Sequence, residues 1–331
     1  MEHIVDIKVI SDIERDMVKF LDNKQFEALH TVLCAHLNLH DKDLNLKNID
    51  EADSASLLDK FLEAKRVEGC SLRTLEFYAA TLKKIFKSID KDLREITTED
   101  LRAYLDSYSA SHNVSKITID NMRRILSSFF NWLEEESYII KSPVKRIHKV
   151  KTAKMVKTTF SDEILEKMRD ACTTLRDLVI VDLLSSSGIR VGELVKLNID
   201  SIDLNTREFI VFGKGSKERK AYFDARTKLH LEKYLESRID NNPALFVSLT
   251  NPVKRLQISG VEIMLRKLGQ SLNIPKVHPH KFRRTLATIA ISKGMPIEQV
   301  QHLLGHQNLD TTMQYAMVNE NNVKQSHQRL F

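Results

Sequence analysis

The sequence contains few cysteines, glycines and prolines. Only 9 Gly and 6 Pro occur among 331 residues, which argues against long flexible linkers and turn-rich all-β designs and favours helices. The three cysteines are far apart and form no CxxC pair, so they predict a reducing compartment. They favour neither a disulfide framework nor a cysteine-based zinc site.

Long apolar runs are also missing. No run approaches the roughly 20 residues that a membrane-spanning helix needs. The first residues include Asp6, Asp12 and Glu14 and are unlike a signal peptide. We therefore expect a soluble cytoplasmic protein.

The excess of positive charge is small. A formal net charge of +6 is a weak indication of a polyanionic partner such as nucleic acid, because lysine and arginine also keep ordinary surfaces solvated. The chain is long enough for two domains, each with its own core.

Apolar residues at helical spacing predict helices in the first half of the chain. The predicted helices cover residues 10–39, residues from Ser54 onward, 72–89, 98–108 and 116–136. Ser71 and Thr98 are the expected N-caps of the third and fourth of these helices. We predict an N-terminal helical extension of unknown role over 1–51, in which interaction or packing is favoured over DNA binding, and a compact helical domain over 52–140.

Residues 141–157 form a basic segment without any acidic residue. Its proposed DNA-binding residues are Lys141, Lys145, Arg146, Lys149, Lys151 and Lys154. Two interpretations are open: a solvated linker between domains, or a strap that crosses DNA phosphates and releases counterions.

The second half, 158–331, has a mixed pattern. Helices are predicted at 161–173, 175–186, 226–238 and 259–272, and from Phe282 to the end. Residues 208–212 and 219–223 are typical of two strands joined by a turn at 213–217.

Two short motifs come first along this half. In Gly188-Ile-Arg190-Val-Gly-Glu193-Leu, a carboxylate three residues after an arginine can orient the guanidinium, although alone this pattern is typical of a surface ion pair. In Gly213-Lys214-Gly215-Ser-Lys-Glu-Arg219, a glycine-flanked lysine at a hairpin tip can project into a groove, although the motif also fits a polar turn.

Three further motifs follow. His280-Lys-Phe-Arg283-Arg at a helix start puts His280 and Arg283 on one face, where both could touch one phosphate. Leu303-Leu-Gly-His306 comes next, and Tyr315 closes Asp310-Thr-Thr-Met-Gln-Tyr315. A lone helical tyrosine is usually a core residue.

Together these motifs resemble the catalytic domain of the tyrosine recombinases, the family of phage lambda integrase, Cre and the bacterial Xer proteins. The resemblance covers about residues 158–320 and, more weakly, a helical core-DNA-binding domain. The implied catalytic residues are Arg190, Lys214, His280, Arg283, His306 and the nucleophile Tyr315, with Glu193 as a supporting carboxylate. Two positions depart from the family pattern: Arg284 stands where histidine is common, and Ser187-Gly188 replaces Thr-Gly.

The resemblance implies a fold and a reaction. The expected fold is mainly α with a small antiparallel β-sheet, and its two domains close around DNA as a C-shaped clamp. The implied reaction is site-specific recombination through a 3′-phosphotyrosine and a Holliday junction, without ATP, metal or other cofactor. The implied partners are double-stranded DNA with an inverted-repeat site, three further copies of the chain in a tetramer, and possible accessory proteins.

Other functions are open on the sequence alone. A catalytically silent DNA-binding regulator, a type IB topoisomerase and, more remotely, a telomere resolvase fit parts of the pattern. A metal enzyme is a chemical alternative because His302 and His306 have i,i+4 spacing. The HExxH pattern is broken by Leu303, however, and an acidic third ligand is not obvious.

Overall fold

The structure is a computed structural model that divides the chain into two compact units, residues 1–154 and 155–331. Each unit contains its own large hydrophobic cluster, so each is described by itself. The structure describes residues 9–10, 12–14, 16–17, 20–21, 23–37, 54–151, 158–212, 218–306 and 309–313.

Helices build the first unit. They are α1 (Asn23–His36), α2 (Ser54–Val67), α3 (Leu72–Ile89), α4 (Thr98–His112) and α5 (Lys116–Glu135), followed by a 3-10 helix over Pro143–Arg146. The apolar faces of α2 to α5 meet in one core. At its centre, the rings of Phe61 and Phe129 pack edge to face with centroids 5.2 Å apart, an arrangement that aromatic pairs favour.

The predicted helix over residues 10–39 is not continuous. The described residues before α1 include a turn at Phe20 and non-helical backbone at Leu21, and Phe20 is largely exposed. The break directly precedes Asn23, the first residue of α1, a residue type that favours caps and turns over helix interiors.

N-caps explain where α3 and α4 begin. Ser71 accepts a hydrogen bond from the Thr74 backbone N–H at 3.3 Å, as predicted. The prediction of Thr98 as the cap of α4 is wrong by one residue, because Thr97 accepts from Asp100 N–H at 3.2 Å. The Asp100 carboxylate accepts in return from Thr97 N–H at 3.0 Å, which completes a capping box. Thr98 is buried and donates to the Pro143 carbonyl at 2.7 Å.

The second unit combines helices with one small sheet. Its elements are α6 (Asp162–Asp170), α7 (Leu175–Ser187), α8 (Val191–Leu194), a 3-10 helix (Ile199–Ser201), β1 (Ile202–Asp203), β2 (Glu208–Phe212), β3 (Glu218–Tyr222), α9 (Ala225–Glu236), α10 (Ile258–Ser271), α11 (Pro279–Ser292), α12 (Ile297–Leu304) and α13 (Leu309–Met313). The strands are antiparallel in the order β1-β2-β3, with Val211 opposite Arg219. The inner face of the sheet is formed by the buried side chains of Phe209, Val211 and Ala221.

The helical stretch predicted from Phe282 onward consists, over the described residues, of three helices separated by turns. Helix α11 already begins at Pro279 and ends at Ser292, and Gly294 follows with a φ of 90°. Helix α12 ends at Leu304, and its cap Gly305 has a left-handed φ of 63°, a conformation that glycine adopts without the steric cost of a Cβ. His306 therefore lies in the loop after α12.

The predicted fold class, mainly α with a small antiparallel sheet, is confirmed. The C-shaped clamp concerns the arrangement of the two units around DNA and stays a prediction. None of the helices in the described part of the chain is long and apolar enough to cross a membrane.

Candidate active site

An open cleft of about 1320 Å³ in the second unit brings several predicted site residues together. Arg190, Glu193, His280 and His306 all line it. They come from the start of α8, the first turn of α11 and the loop after α12.

Gly188 lets the chain turn from α7 into the site. It caps α7 with a φ of 60°, and a Cβ at this position would lie 2.8 Å from Leu286 Cδ2 and 3.1 Å from Leu304 Cδ2. The left-handed φ favours glycine here, and a Cβ would also require the ends of the Leu286 and Leu304 side chains to shift.

Arg190 is fixed by Glu193 on two sides. The Arg190 backbone N–H donates to Glu193 Oε2 at 3.0 Å, and its Nη1 donates to Oε1 at 2.8 Å. Arg190 Nη2 also donates to the Gly305 carbonyl at 3.1 Å. Burial alone would raise the pKa of Glu193, but the Arg190 N–H and the charges of Arg219 and Arg190 together hold that pKa below its usual value. The carboxylate is therefore ionised and orients Arg190.

Arg283 lies on α11 and is only 3% exposed. Its Nη1 donates to the Gly188 carbonyl at 2.7 Å, and its Nη2 donates to the Leu304 carbonyl. It thus connects the turn before Arg190 to the turn before His306. His280, one turn earlier on α11, is exposed and lines the cleft, so the two residues differ in burial although they share a helix.

His306 is held by residues of the two helices on either side of it in sequence, α12 and α13. Its Nδ1 lies 2.8 Å from the hydroxyl of the fully buried Thr312, and its carbonyl accepts from Gln301 Nε2 at 3.0 Å. Burial, together with the positive charges of Arg283, Arg190 and Arg219, lowers the pKa of His306 to about 4. The imidazole is therefore neutral near pH 7.

Sequence reasoning did not single out Arg219. Its side chain is 9% exposed and pairs with Glu193 Oε2 at 2.8 Å through Nη2, and Nη1 donates to the Leu303 carbonyl at 2.9 Å. It also lines the cleft. The signal was present, since Arg219 is the last residue of the glycine-lysine motif in which only Lys214 was assigned a role.

Three of the predicted residues lie outside the described part of the chain: Lys214, Tyr315 and Lys154. The neighbouring elements are described. Strand β2 ends just before residues 213–217, and strand β3 begins just after them. Helix α13 ends at Met313, two residues before Tyr315.

The basic segment packs against the first unit over the residues that the structure describes. Pro143 and Val144 are buried, and the Val150 N–H donates to Asp120 Oδ1 at 3.1 Å. Lys145 Nζ pairs with Glu134 Oε1 at 2.6 Å, whereas Lys149 and Lys151 are exposed. The segment thus has an apolar side towards the core and a charged, exposed side.

Arg284 occupies a place outside the lining of the cleft. Its Nη1 donates to the Thr158 carbonyl at 3.0 Å, while Thr285 Oγ1 accepts from the Phe160 N–H at 3.0 Å. Arg284 therefore fixes the chain entering the second unit against α11.

The histidine pair considered as a metal site is not kept on one helix. His302 is exposed on α12, whereas His306 lies beyond the left-handed Gly305. Within the described ranges, no group of three or more histidine, cysteine, aspartate or glutamate side chains is placed to hold a metal ion.

Comparison with known proteins finds a matching family model in each of the two units. Residues 154–322 match the model of the phage integrase family, and residues 57–140 match the phage integrase N-terminal SAM-like domain. The tyrosine recombinase XerC of Leptospira interrogans is 31% identical over 283 residues, which cover 82% of this chain and 91% of that protein. The XerC of Staphylococcus aureus is 32% identical over 281 residues, covering 80% and 93%.

Solved structures show the same fold. XerH recombinase bound to a palindromic difH substrate superposes with a TM-score of 0.67 at 21% identity, covering 97% of this chain and 95% of that one. A lambda integrase tetramer bound to a Holliday junction gives a TM-score of 0.65 at 20% identity, covering 83% and 81%.

The chain belongs to the phage integrase family, that is, to the tyrosine recombinases. The predictions of the family and of the enzyme class, a site-specific tyrosine recombinase, are confirmed.

Proposed function

We propose that this recombinase cuts and rejoins double-stranded DNA through a covalent link to Tyr315. The observation that carries the proposal is the convergence of Arg190, Arg283 and His306, which are connected through the backbone turns at Gly188 and 303–305. Phosphoryl transfer depends mainly on positioning and on stabilising the charge of the transferred group, and this cluster supplies both.

The two arginines are the proposed stabilisers of the scissile phosphate. Negative charge builds on the non-bridging oxygens as the nucleophile attacks, and guanidinium groups fixed in advance stabilise it without reorganising. Glu193 fixes Arg190, and two backbone carbonyls fix Arg283, so both cations are preorganised.

His306 is the proposed neutral hydrogen-bond donor to the same phosphate. We assign its Nδ1 as the acceptor of the Thr312 hydroxyl, which places the ring proton on Nε2 as the donor to substrate. Its lowered pKa keeps that one proton, and no net charge, on the ring at neutral pH.

The remaining roles concern the transfer of protons and the covalent bond. Tyr315 attacks the phosphorus, which forms a 3′-phosphotyrosine and releases the 5′-oxygen. A tyrosine hydroxyl has a pKa of about 10, so it needs a base, and His280 takes that role. Lys214 protonates the leaving 5′-oxygen. Attack by a 5′-hydroxyl on the phosphotyrosine reverses these steps, so rejoining needs neither ATP nor a metal.

The proposed substrate is an inverted-repeat DNA site, on which four copies of the chain exchange strands through a Holliday junction. The exposed side of the basic segment, with Lys149 and Lys151, contacts DNA phosphates and releases counterions. The outcome is integration, excision, inversion or resolution of DNA segments. From the cysteine usage we infer a cytoplasmic location.

Covalent trapping tests the proposed reaction. Purified protein is incubated in EDTA with nicked duplexes tiled from the DNA flanking its own gene, and the products are separated on a denaturing gel. The expected result is a shifted protein–DNA band that is absent for Tyr315→Phe. Sequence-specific binding without any band would favour a regulator, whereas relaxation of supercoiled DNA of any sequence would favour a topoisomerase.

A further inference from the structure

We propose that Arg219 is a positioning residue for the strand-cutting reaction. It connects the carboxylate that orients Arg190, the turn before His306 and the end of the β2–β3 strand pair that is next to Lys214 in sequence. This inference rests on the proposed function for its kinetic consequence, but its structural part can be measured without DNA.

A closed ring of hydrogen bonds and ion pairs carries the proposal. The two oxygens of Glu193 are shared: Oε1 accepts from Arg190 Nη1 and Oε2 from Arg219 Nη2, both at 2.8 Å. The second terminal nitrogen of each arginine donates to the same turn. Arg219 Nη1 donates to Leu303 O at 2.9 Å, and Arg190 Nη2 donates to Gly305 O at 3.1 Å. The residue after this turn is His306, so movement of Arg219 displaces both sides of the site.

The position of Arg219 in the sheet adds the third connection. It is the second residue of β3 and pairs with the buried Val211 of β2. Residues 213–217, which include Lys214, connect these strands. The Arg219 side chain therefore fixes this end of the β2–β3 strand pair relative to Arg190 and His306.

The fit around Arg219 is tight. A Cβ on Gly305 would lie 2.5 Å from Arg219 Cδ and 2.7 Å from its Nε, so glycine at 305 is required by this side chain as well as by its φ of 63°. Arg219 is nearly buried, and its Nε–H is a buried donor for which no acceptor lies within the described part of the chain. A buried charge with an unpaired N–H costs free energy, so its retention needs a compensating role.

Arg255 provides a matched control. It lines the same cleft, is also partly buried, and donates from Nη1 to the carbonyls of Val195 and Leu197, both at 3.0 Å. Its Nη2 bonds Asn198 Oδ1 at 2.5 Å. These partners are structural, and none is a proposed catalytic residue. Arg255→Gln thus removes a comparable guanidinium without opening the ring.

The kinetic experiment compares Arg219→Gln, Arg219→Lys and Arg255→Gln on the fragment that wild type cleaves. We expect Arg219→Gln to cleave about 100-fold more slowly, the scale on which misplacement by about 1 Å acts. Its affinity for the same DNA should stay within about threefold, as expected for a group that makes no phosphate contact. Arg219→Lys keeps the charge but reaches only one acceptor, so it should recover part of the rate. Arg255→Gln should cleave nearly as wild type does.

A double variant separates shared from independent effects. Because Glu193 and Arg219 act through one ring, Arg219→Gln should add little to the loss caused by Glu193→Gln. The proposal would be overturned if the losses in cleavage rate of Glu193→Gln and Arg219→Gln multiplied in the double variant. It would also be overturned if Arg219→Gln cleaved as fast as wild type, or if Arg255→Gln lost as much cleavage rate as Arg219→Gln.

The structural experiment uses the full chain without DNA. NMR titration of His306 should give a pKa closer to its ordinary value in Arg219→Gln and an unchanged one in Arg255→Gln. The groups that act on this histidine are Arg283, Arg190, Arg219 and the hydroxyl of Thr312. An unchanged His306 spectrum in Arg219→Gln would refute the positioning role, and the histidine signals report whether each variant is folded. Failure of wild type to cleave any fragment would instead count against the proposed function.

Discussion

His306 shows how one residue acquires its chemistry from its surroundings. Burial and the charges of Arg283, Arg190 and Arg219 disfavour a second ring proton, which lowers the pKa of His306 from 6.5 to about 4. The unfolded chain binds that proton near pH 6.5 and the folded chain only near pH 4. Folding stability from this group is therefore present above pH 6.5 and is lost as the pH falls from 6.5 towards 4.

We expect the His306 ring to titrate at about pH 4 in the folded protein, well below the ordinary value of 6.5. NMR of the histidine ring protons, assigned with His306→Asn, measures this directly. Cleavage should then show no loss from His306 protonation between pH 5 and 8. A midpoint above pH 6 would contradict the expectation.

Thr312 should matter through the orientation of His306. Thr312→Val keeps the shape of the side chain but removes the hydroxyl that lies 2.8 Å from Nδ1. We expect roughly ten- to hundredfold slower cleavage because the ring loses its fixed tautomer and orientation. Thr312→Ser retains a hydroxyl and is the matched control. Equal cleavage by the Val and Ser variants would show that this hydrogen bond has no part in positioning.

Among the elements, α4 offers a test of local stability, because its capping box joins Thr97 and Asp100 in both directions. Thr97→Ala should destabilise the first turn by about 1 kcal/mol, the usual value of an N-cap. Amide hydrogen exchange at residues 98–101 should accelerate about fivefold, as 1.4 kcal/mol corresponds to tenfold. Thr97→Ser retains the cap and should exchange as wild type does. Unchanged exchange in the Ala variant would argue against the box.

Helix bounds that depend on local chemistry could be predicted from the sequence. Helix α3 begins and ends where its apolar spacing and Ser71 predict. Thr97 and not Thr98 is the cap because Asp100 lies three residues after Thr97 and completes the capping box, whereas the residue three after Thr98 is Leu101. The bond from the buried Thr98 to Pro143 O adds a tertiary contact that local spacing does not reveal. The end of α12 needed attention to Gly305, whose left-handed backbone interrupts the apolar pattern.

The sequence predicted which residues form the site better than it predicted the contacts between them. The family motifs indicated Arg190, His280, Arg283 and His306, which lie in or directly against one cleft. Arg219 was not identified because its role depends on contacts with Glu193 and Leu303, 26 and 84 residues away in sequence. Periodicity and spacing along the chain do not contain such distant contacts.

At the scale of the whole molecule, electrostatic attraction to DNA should be unevenly distributed over the basic segment. Lys145 is neutralised by Glu134 at 2.6 Å, whereas Lys151 is exposed and forms no ion pair with any described residue. We expect Lys151→Ala to reduce the slope of log affinity against log salt by about 0.9, the value of one phosphate contact. Lys145→Ala should change it less. Equal slopes for both variants and wild type would contradict a phosphate-crossing segment.

Assembly should depend on the last residues of the chain. Residues 323–331 are mostly polar but include the apolar pair Leu330-Phe331. Covering these two side chains with a neighbouring copy removes apolar surface from water and so stabilises the assembly. We expect deletion of residues 321–331 to weaken the pairing of two DNA sites more than the binding of one. Leu330→Ser with Phe331→Ser is the matched control, because it keeps the chain length and removes only the apolar surface. Gel-shift titration resolves single-site from paired complexes, and paired complexes undiminished by the truncation would show that assembly uses another surface.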